Sequence, residues 1–263
     1  MKEKIVYYSD ELNDDFAGTN FKSKPLPEDY KFLHTGFWEK LRRFVVYGTV
    51  RPIIMLAIKL FLRIKYVNKQ VLKPYKKQGC FIYGNHTSFV PDAFNPTGVA
   101  YPRPCDIIIN SDALSIKRIS WIIKTLGGLP IPEGFHAMAR FNEAVKVCIE
   151  KKHWIAIYPE AHIWRYYTKI RPFAATSFNY PVKLKAPVFS YTLVYKKRKF
   201  SKRPRLELHI DGPFFADENL PQKAAVNKLR DEVYHAMCTR AKLSNCEYVE
   251  YVYRPKENEE AAK

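Results

Sequence analysis

The sequence predicts an α/β fold in which helices cover a layered sheet. Short apolar runs that end in turn or polar residues alternate with stretches of helical periodicity. Helical periodicity is clearest from Ala137 to Lys152, between two of these runs. Strands that alternate with helices are typical of layered α/β proteins. The runs are CFIYGN from Cys80, CDIIIN from Cys105, WIAIYPE from Trp154 and APVFSYTLVY from Ala186.

The chain length and composition favour one main folded domain. Its 263 residues can bury one sizeable core, and an apolar content of 47% with 15% aromatic residues argues against disorder. RLELHIDGPF, from Arg205, predicts a further strand, and Gln222 to Lys242 predicts a closing helix. We expect this organisation: an N-terminal extension at 1–35, helices at 36–68, the main domain at 69–255 and a mobile tail at 256–263.

Positive charge dominates the chain. Lys and Arg total 44 against 26 Asp and Glu, which gives a formal net charge of +18. Such a charge favours anionic partners but does not choose among nucleic acid, anionic lipid, a phosphorylated substrate and an acidic carrier protein.

The cysteines predict a reduced, intracellular protein. They are odd in number, scattered, and have no zinc-knuckle spacing, which disfavours a full disulfide framework. Residues 1–30 contain no basic stretch leading into an apolar run, so we expect no signal peptide. The five thiols are Cys80, Cys105, Cys148, Cys238 and Cys246.

The segment from Phe37 to Tyr66 predicts two helices, divided at Gly48 and Pro52. A membrane-spanning helix needs about 20 predominantly apolar residues. Arg51, Lys59 and Pro52 interrupt this run, so we do not expect it to span a bilayer.

An amphipathic pattern in the second helix favours a position in the lipid headgroup layer. Lys59 and Arg63 lie on one face of it, and Ile53, Ala57, Leu60 and Ile64 lie on another. We predict that Trp38, Phe44 and Tyr47 are interfacial anchors. The same pattern fits amphipathic helices packed on the domain core, and the pattern does not choose between the two.

The motif GNHTSFVPD, Gly84 to Asp92, places His86 in a loop just after a predicted strand. Active-site groups of open α/β sheets usually lie there. Histidine can accept a proton near neutral pH, and a carboxylate such as Asp92 can hold the ring through Nδ1 and leave Nε2 as the base. An acidic residue this close to a histidine is common, so a structural loop is the alternative.

The motif YPEAHI, Tyr158 to Ile163, follows another predicted strand and is expected at the same edge of the sheet. There Glu160 could hold an acceptor hydroxyl, and Arg165, Lys169 and Arg171 could pair with a phosphate. A solvated basic loop is the alternative for each of these basic residues.

The order of these motifs resembles the glycerophospholipid acyltransferase family, of which lysophosphatidic acid acyltransferase is the best-known member. The resemblance extends from residue 80 to residue 195 and includes GGLPIP, from Gly127, in which Gly128 and Ile131 match the second block of the family. Pro187 matches the fourth block. The resemblance implies a mixed sheet flanked by helices, with the N-terminal helix pair as a membrane-seating element.

The resemblance also implies roles for individual residues. His86 is the expected general base, Asp92 orients it, and Glu160 engages the acceptor. Asn85 and Ser88, on either side of His86, are expected to contribute to substrate binding.

The sequence departs from the family pattern in three places. One residue more than usual separates His86 from Asp92, which predicts a bulge in the connecting turn. Ala161-His162-Ile163 replaces the usual Gly-Thr-Arg, so we assign the phosphate contact to Arg165. Pro132 and Glu133 stand where the second block usually ends in arginine.

The implied reaction is transfer of a fatty acyl group from an acyl-carrier protein or acyl-CoA thioester to the hydroxyl of a lysophospholipid. The leading acceptor is 1-acyl-sn-glycerol 3-phosphate, which would give phosphatidic acid. Another lysolipid or glycerol 3-phosphate is the alternative acceptor. We expect no metal and no cofactor beyond the thioester, and a peripheral or monotopic protein on the cytoplasmic face of a membrane.

Two functions of other classes rank lower. A basic nucleic-acid-binding protein would explain the charge, but no recognised nucleic-acid motif is present. A hydrolase with Ser88 or Cys80 as nucleophile would need an activated residue, and neither lies in a Gly-x-Ser-x-Gly elbow.

The basic stretch from Tyr195 to Arg205 would suit an acidic carrier protein, or is a solvated surface loop.

Overall fold

A mixed sheet lies at the centre of the computed structural model, which describes residues 4–16, 25–33, 36–57, 60–61, 63–115 and 120–255. Within these residues, seven strands pair in the order β2-β8-β7-β3-β6-β4-β5. All neighbouring pairs are parallel except β7 and β8. The strands are β2 (Lys65–Val67), β3 (Cys80–Gly84), β4 (Cys105–Ile109), β5 (Gly128–Pro130), β6 (Trp154–Ile157), β7 (Val188–Arg198) and β8 (Ser201–Phe214), and a separate parallel pair is formed by β1 (Lys4–Tyr8) and β9 (Val249–Tyr253).

Helices cover both faces of the sheet, as predicted for a layered α/β fold. Side chains of a strand point alternately to opposite faces. In β3, Phe81 and Tyr83 therefore enter one core while Cys80 and Ile82 enter the other. The helices are α1 (Phe37–Val45), α2 (Arg51–Ala57), α3 (Phe89–Ala100), α4 (Ser120–Thr125), α5 (Phe135–Glu150), α6 (Asn179–Leu184) and α7 (Gln222–Ala241), with 3-10 turns at Lys69–Tyr75, Ser111–Ser115 and Thr176–Phe178.

The structure confirms most of the predicted elements. The four apolar runs form β3, β4, β6 and β7, and the predicted central and closing helices are α5 and α7. The interpretation of Tyr195 to Arg205 as a loop was wrong, because these residues form the ends of the β7–β8 hairpin with Lys196 opposite Arg205.

The prediction of two helices from Phe37 to Tyr66 is confirmed only in part: α1 and α2 are divided by a turn that contains Gly48, but Tyr66 lies in a strand. The helical path is continuous from Phe37 to Ala57, since a π-helical turn at Val46–Val50 joins α1 to α2. Farther on, Lys65–Val67 forms β2 and pairs with Glu207–His209 of β8. That partner is far along the chain, so the local pattern gave no sign of a strand.

A buried guanidinium fixes α2 to the rest of the fold. Arg51 is only 4% exposed, and its Nη2 donates to the backbone carbonyls of Thr97 at 2.9 Å and Arg103 at 2.8 Å. Thr97 lies in the last turn of α3, where helix carbonyls can accept from groups outside the helix. Tyr47 is half-buried and donates its hydroxyl to Leu126 O at 3.1 Å, and its predicted role as an interfacial anchor stays a prediction.

The opposite side of this helical segment carries exposed apolar side chains. Trp38 and Phe44 are both 76% exposed, and Ile53 is 67% exposed. Ile64 is buried, so the predicted apolar face of the second helix is split between core and surface. Lys59, predicted on the charged face, lies outside the described residues, as does the predicted tail at 256–263. In the described part of the chain, no helix has both the length and the apolar character required to cross a bilayer.

The N-terminal segment packs on the loop that follows β6. β1 pairs with β9, and the residues after β1 contact this loop through backbone groups. Trp164 Nε1 donates to Asp14 O at 2.7 Å, and Arg171 Nη1 donates to Glu11 O at 3.2 Å. The polar N-terminal stretch is therefore part of the packed structure, and the predicted domain boundaries stay a prediction.

Candidate active site

His86 and Asp92 form a hydrogen-bonded pair at the carboxyl end of β3. His86 Nδ1 lies 3.0 Å from Asp92 Oδ2. The Asp92 side chain is 1% exposed and that of His86 is 17% exposed, so the imidazole alone reaches solvent. Because the carboxylate pairs with Nδ1, Nε2 is the nitrogen that can act as a base.

A helical turn, rather than the predicted bulge, takes up the additional residue between His86 and Asp92. Ser88 is extended, with φ −150° and ψ 118°, and α3 begins at the next residue. The backbone N–H of Asp92 then donates to Ser88 O at 3.0 Å, while the N–H of Ser88 donates to Asp92 Oδ2 at 2.7 Å. Pro91 fits this first turn, where a backbone N–H has no helical acceptor.

Burial sets the electrostatics of Asp92. Removal from water raises the pKa of Asp92 above its ordinary value, and the hydrogen bond and charge of His86 and the N–H groups of Ser88 and Thr87 oppose this rise. A carboxylate in such a site interacts strongly with a positive imidazole, since little water screens the pair. Asp92 can thus stabilise an imidazolium at His86 if one forms during a reaction.

Tyr158, the residue after β6, contacts both members of the pair. Its ring stacks on the imidazole of His86, with centroids 4.3 Å apart and planes inclined by 19°. Its hydroxyl donates to the backbone carbonyl of Asp92 and accepts from the hydroxyl of Tyr191 at 2.6 Å. A Cβ on Gly84 would lie 2.2 Å from the Tyr191 ring, so only glycine fits there.

The loop around His86 is fixed to β7 by side-chain hydrogen bonds. Asn85 Oδ1 accepts from the backbone N–H of Leu193 at 2.8 Å, and Asn85 Nδ2 donates to Leu193 O at 3.2 Å. Thr87 Oγ1 pairs with the hydroxyl of Tyr195 at 2.9 Å. The amide of Asn85, predicted to bind substrate, is therefore engaged with the backbone, while Ser88 lies half-buried beside Asp92.

Glu160 lies near His86 but beneath the surface. Its carboxylate is fully buried, and neither oxygen has a hydrogen-bond donor among the described residues. Arg171 Nη2 is 3.5 Å away. Burial raises the pKa of Glu160 to about 7, and the charges of Arg171 and His86 limit the rise. The predicted contact between Glu160 and an acceptor stays a prediction, and it would require this loop to move.

The three basic residues predicted to pair with a phosphate differ in exposure: Arg171 is buried, whereas Arg165 and Lys169 are exposed. Arg171 is 1% exposed and donates to the backbone carbonyls of Glu160 and His162, with its guanidinium over the Trp164 ring. Arg165 and Lys169 are exposed on the same loop. Only these two present a charged group at the surface.

The structure contradicts Cys80 as a nucleophile. The residue has no exposed surface, and burial raises the pKa of its thiol to about 12. A nucleophilic cysteine needs an accessible thiolate.

A second histidine–aspartate pair lies at the opposite ends of the strands from His86. His153 Nδ1 is 2.6 Å from Asp106 Oδ2, and together with Cys148 they form a group whose ligand atoms lie within 4.8 Å of one another. His153 precedes β6 and Asp106 is near the start of β4, so this cluster is at the amino ends of the strands. This cluster lies outside the candidate active site. The hydrogen bond from the partly exposed His153 gives the buried Asp106 carboxylate a partner.

Comparison with known proteins identifies the family of this chain. A family model described as Acyltransferase matches residues 63–194, which is half of the chain and contains His86, Asp92 and Glu160. No curated protein matches the chain.

Among solved structures, the chain is similar to the crystal structure of the 1-acyl-sn-glycerophosphate (LPA) acyltransferase PlsC from Thermotoga maritima. The TM-score is 0.53 at 14% sequence identity, and the match covers 78% of this chain and 88% of that chain. This likeness shows a shared fold. The family match over residues 63–194 shows that the chain belongs to the acyltransferase family.

Proposed function

We propose that the protein transfers a fatty acyl group from an acyl thioester to the hydroxyl of a lysophospholipid, with 1-acyl-sn-glycerol 3-phosphate as the leading acceptor and phosphatidic acid as the product. The observation that carries this proposal is the 3.0 Å pair of His86 and Asp92 in a chain of the acyltransferase family. The acyltransferase named for 1-acyl-sn-glycerophosphate has the same fold, which supports this choice of acceptor.

His86 acts as a general base in the proposed mechanism. Nε2 takes the proton of the acceptor hydroxyl as its oxygen attacks the thioester carbonyl carbon. The new C–O bond forms, the C–S bond breaks, and the imidazolium returns the proton to the leaving thiolate. Asp92 stabilises the imidazolium between these steps, and no covalent enzyme intermediate is needed. The donor is an acyl-carrier protein or acyl-CoA thioester, without a further cofactor.

Exposed cations on the loop after β6 support an anionic acceptor. Arg165 and Lys169 project from the loop that begins beside His86, and both are proposed to pair with the acceptor phosphate. Arg171 is buried, so its proposed role is to hold this loop and Glu160 rather than to touch the phosphate.

Exposed apolar residues on α1 and α2 support a membrane-bound protein. Trp38, Phe44 and Ile53 are exposed next to the basic residues Lys40 and Arg42, which suits the headgroup layer of an anionic bilayer. We propose peripheral or monotopic association with the cytoplasmic face of a membrane.

Replacing Trp38 and Phe44 together by alanine is expected to weaken vesicle binding by about a hundredfold or more, because burying each apolar side chain contributes roughly 1.5–3 kcal/mol. Co-sedimentation with phosphatidylcholine–phosphatidylglycerol vesicles measures this. Phe200→Ala is the matched control, since Phe200 is 92% exposed at the β7–β8 turn.

Equal binding by the double variant and the wild type would contradict membrane seating by this helical segment. Retention at high salt would indicate helix insertion, whereas release would indicate headgroup attraction. A salt-sensitive shift with an oligonucleotide and no binding to vesicles would favour the nucleic-acid alternative.

A substrate panel tests the reaction itself. Purified protein is incubated with several lysophospholipids or glycerol 3-phosphate, each with acyl-carrier-protein and acyl-CoA donors. We expect the fastest acylation with 1-acyl-sn-glycerol 3-phosphate, since its phosphate and single free hydroxyl suit the loop cations and one base. A preference for glycerol 3-phosphate or another lysolipid would change the acceptor, and failure of every pair would contradict the proposed function.

A further inference from the structure

Pro96 leaves a gap in the hydrogen bonding of α3. In an α-helix, the N–H of each residue donates to the carbonyl four residues earlier. Proline has no N–H, so Pro96 cannot donate to the carbonyl of Asp92. Asp92 is 1% exposed, and a buried carbonyl without a donor is costly.

Tyr158 supplies the missing donor. Its hydroxyl reaches across from the end of β6 and donates to Asp92 O. The Tyr158 hydroxyl is held in place by the Tyr191 hydroxyl, which donates to it at 2.6 Å. Burial raises the pKa of both phenols well above the ordinary value, so both remain protonated donors.

The same side chain also contacts the imidazole. The ring of Tyr158 stacks on His86 while its hydroxyl holds the backbone of Asp92. One rigid side chain thus touches both partners of the 3.0 Å hydrogen bond from opposite ends. These two contacts act together with the hydrogen bonds between Ser88 and Asp92, which hold the same turn.

We propose that Tyr158 is a positioning residue for the His86–Asp92 pair, and that its hydroxyl replaces the helical hydrogen bond that Pro96 cannot make. This inference rests on the proposed roles of His86 and Asp92 in acyl transfer. Tyr158 acts through these two residues and takes no part in the bond changes.

The test compares Tyr158→Phe, Pro96→Ala and the double variant in steady-state acyl transfer and thermal unfolding. Tyr158→Phe keeps the ring stack but removes the donor, so we expect kcat to fall about tenfold, the worth of one well-placed hydrogen bond, with little change in KM. In the double variant, the Pro96→Ala change restores a backbone N–H that can donate to Asp92 O, so we expect most of the lost kcat to return.

Tyr83→Phe is the matched control. Tyr83 is fully buried on β3, and its hydroxyl also donates to a backbone carbonyl, that of Ser177 at 3.0 Å. It lies in the core on the other face of the sheet from Tyr191. We expect it to lose stability without losing kcat.

Three results would overturn the inference: a Tyr158→Phe enzyme within about twofold of wild type, no recovery in the double variant, or an equal loss in Tyr83→Phe. If Tyr158→Phe fails to fold at the assay temperature, recovery of its unfolding temperature by Pro96→Ala supports the coupling, and absence of recovery contradicts it. Full activity of a His86→Ala enzyme would instead contradict the proposed function, so the two failures are distinguishable.

Discussion

Replacement of His86 by alanine is expected to lower kcat by about a hundredfold to ten-thousandfold, the usual contribution of a general base. The acceptor hydroxyl would then lose its proton to water rather than to a positioned imidazole. KM should change little, because the hydroxyl–imidazole contact matters most in the transition state. Asp92→Asn should also lower kcat strongly, since an amide cannot stabilise the imidazolium. Steady-state assays with the best pair of the substrate panel measure both effects.

The second histidine–aspartate pair offers a control of the same chemistry. His153→Ala removes an imidazole that is 17% exposed, as is that of His86, and that is also bonded to a buried aspartate. His153 lies at the amino ends of the strands, away from His86. We therefore expect His153→Ala to lower stability and leave kcat unchanged. A His86→Ala enzyme with wild-type turnover would exclude His86 as the base.

Arg171→Met is expected to destabilise the protein by about 3–5 kcal/mol at pH 8, the usual cost of breaking a buried ion pair from one side. The change keeps most of the side-chain volume but leaves the Glu160 carboxylate, 3.5 Å from the guanidinium, without its cation. Three backbone carbonyls also lose a donor. Denaturant unfolding measures the loss. Arg203→Met, at an exposed position, should change stability by less than about 0.5 kcal/mol.

The pH dependence identifies Glu160 as the cause of this loss. The folded-state pKa of Glu160 is raised to about 7, so the folded protein holds a proton that the unfolded chain releases at lower pH. Stability should therefore fall as pH rises from the ordinary glutamate pKa towards 7, and the full cost applies above 7. The Arg171→Met loss should be smaller at pH 5, where Glu160 is neutral, and adding Glu160→Gln should reduce it at pH 8. An equal loss at both pH values would contradict this account.

Local patterns predicted the elements whose signal lies in their own residues. β3, β4, β6 and β7 were visible because a strand buried on both faces reads as a short apolar run. His86 and Asp92 were found because both lie in one short segment. Their 3.0 Å contact follows from a strand end and the first turn of a helix.

Contacts between distant parts of the chain were not predictable in this way. The bond from Tyr158 to Asp92 spans 66 positions, and that from Arg51 to Thr97 spans 46. The burial of Arg171 was not predicted for the same reason, because it depends on the N-terminal segment and on Trp164. A proline one helical turn after Asp92 was the only local sign that a distant donor was needed.

The guanidinium of Arg51 has a mechanical consequence. It joins α2 directly to the last turn of α3, the helix whose first turn holds Asp92. This bond thus links the exposed apolar surface of α1 and α2 to the helix that carries Asp92, the proposed partner of His86. With the proposed seating of this surface on a bilayer and the proposed role of His86, the link would keep the base at one height above the lipid, where an acceptor could meet it without leaving its own leaflet.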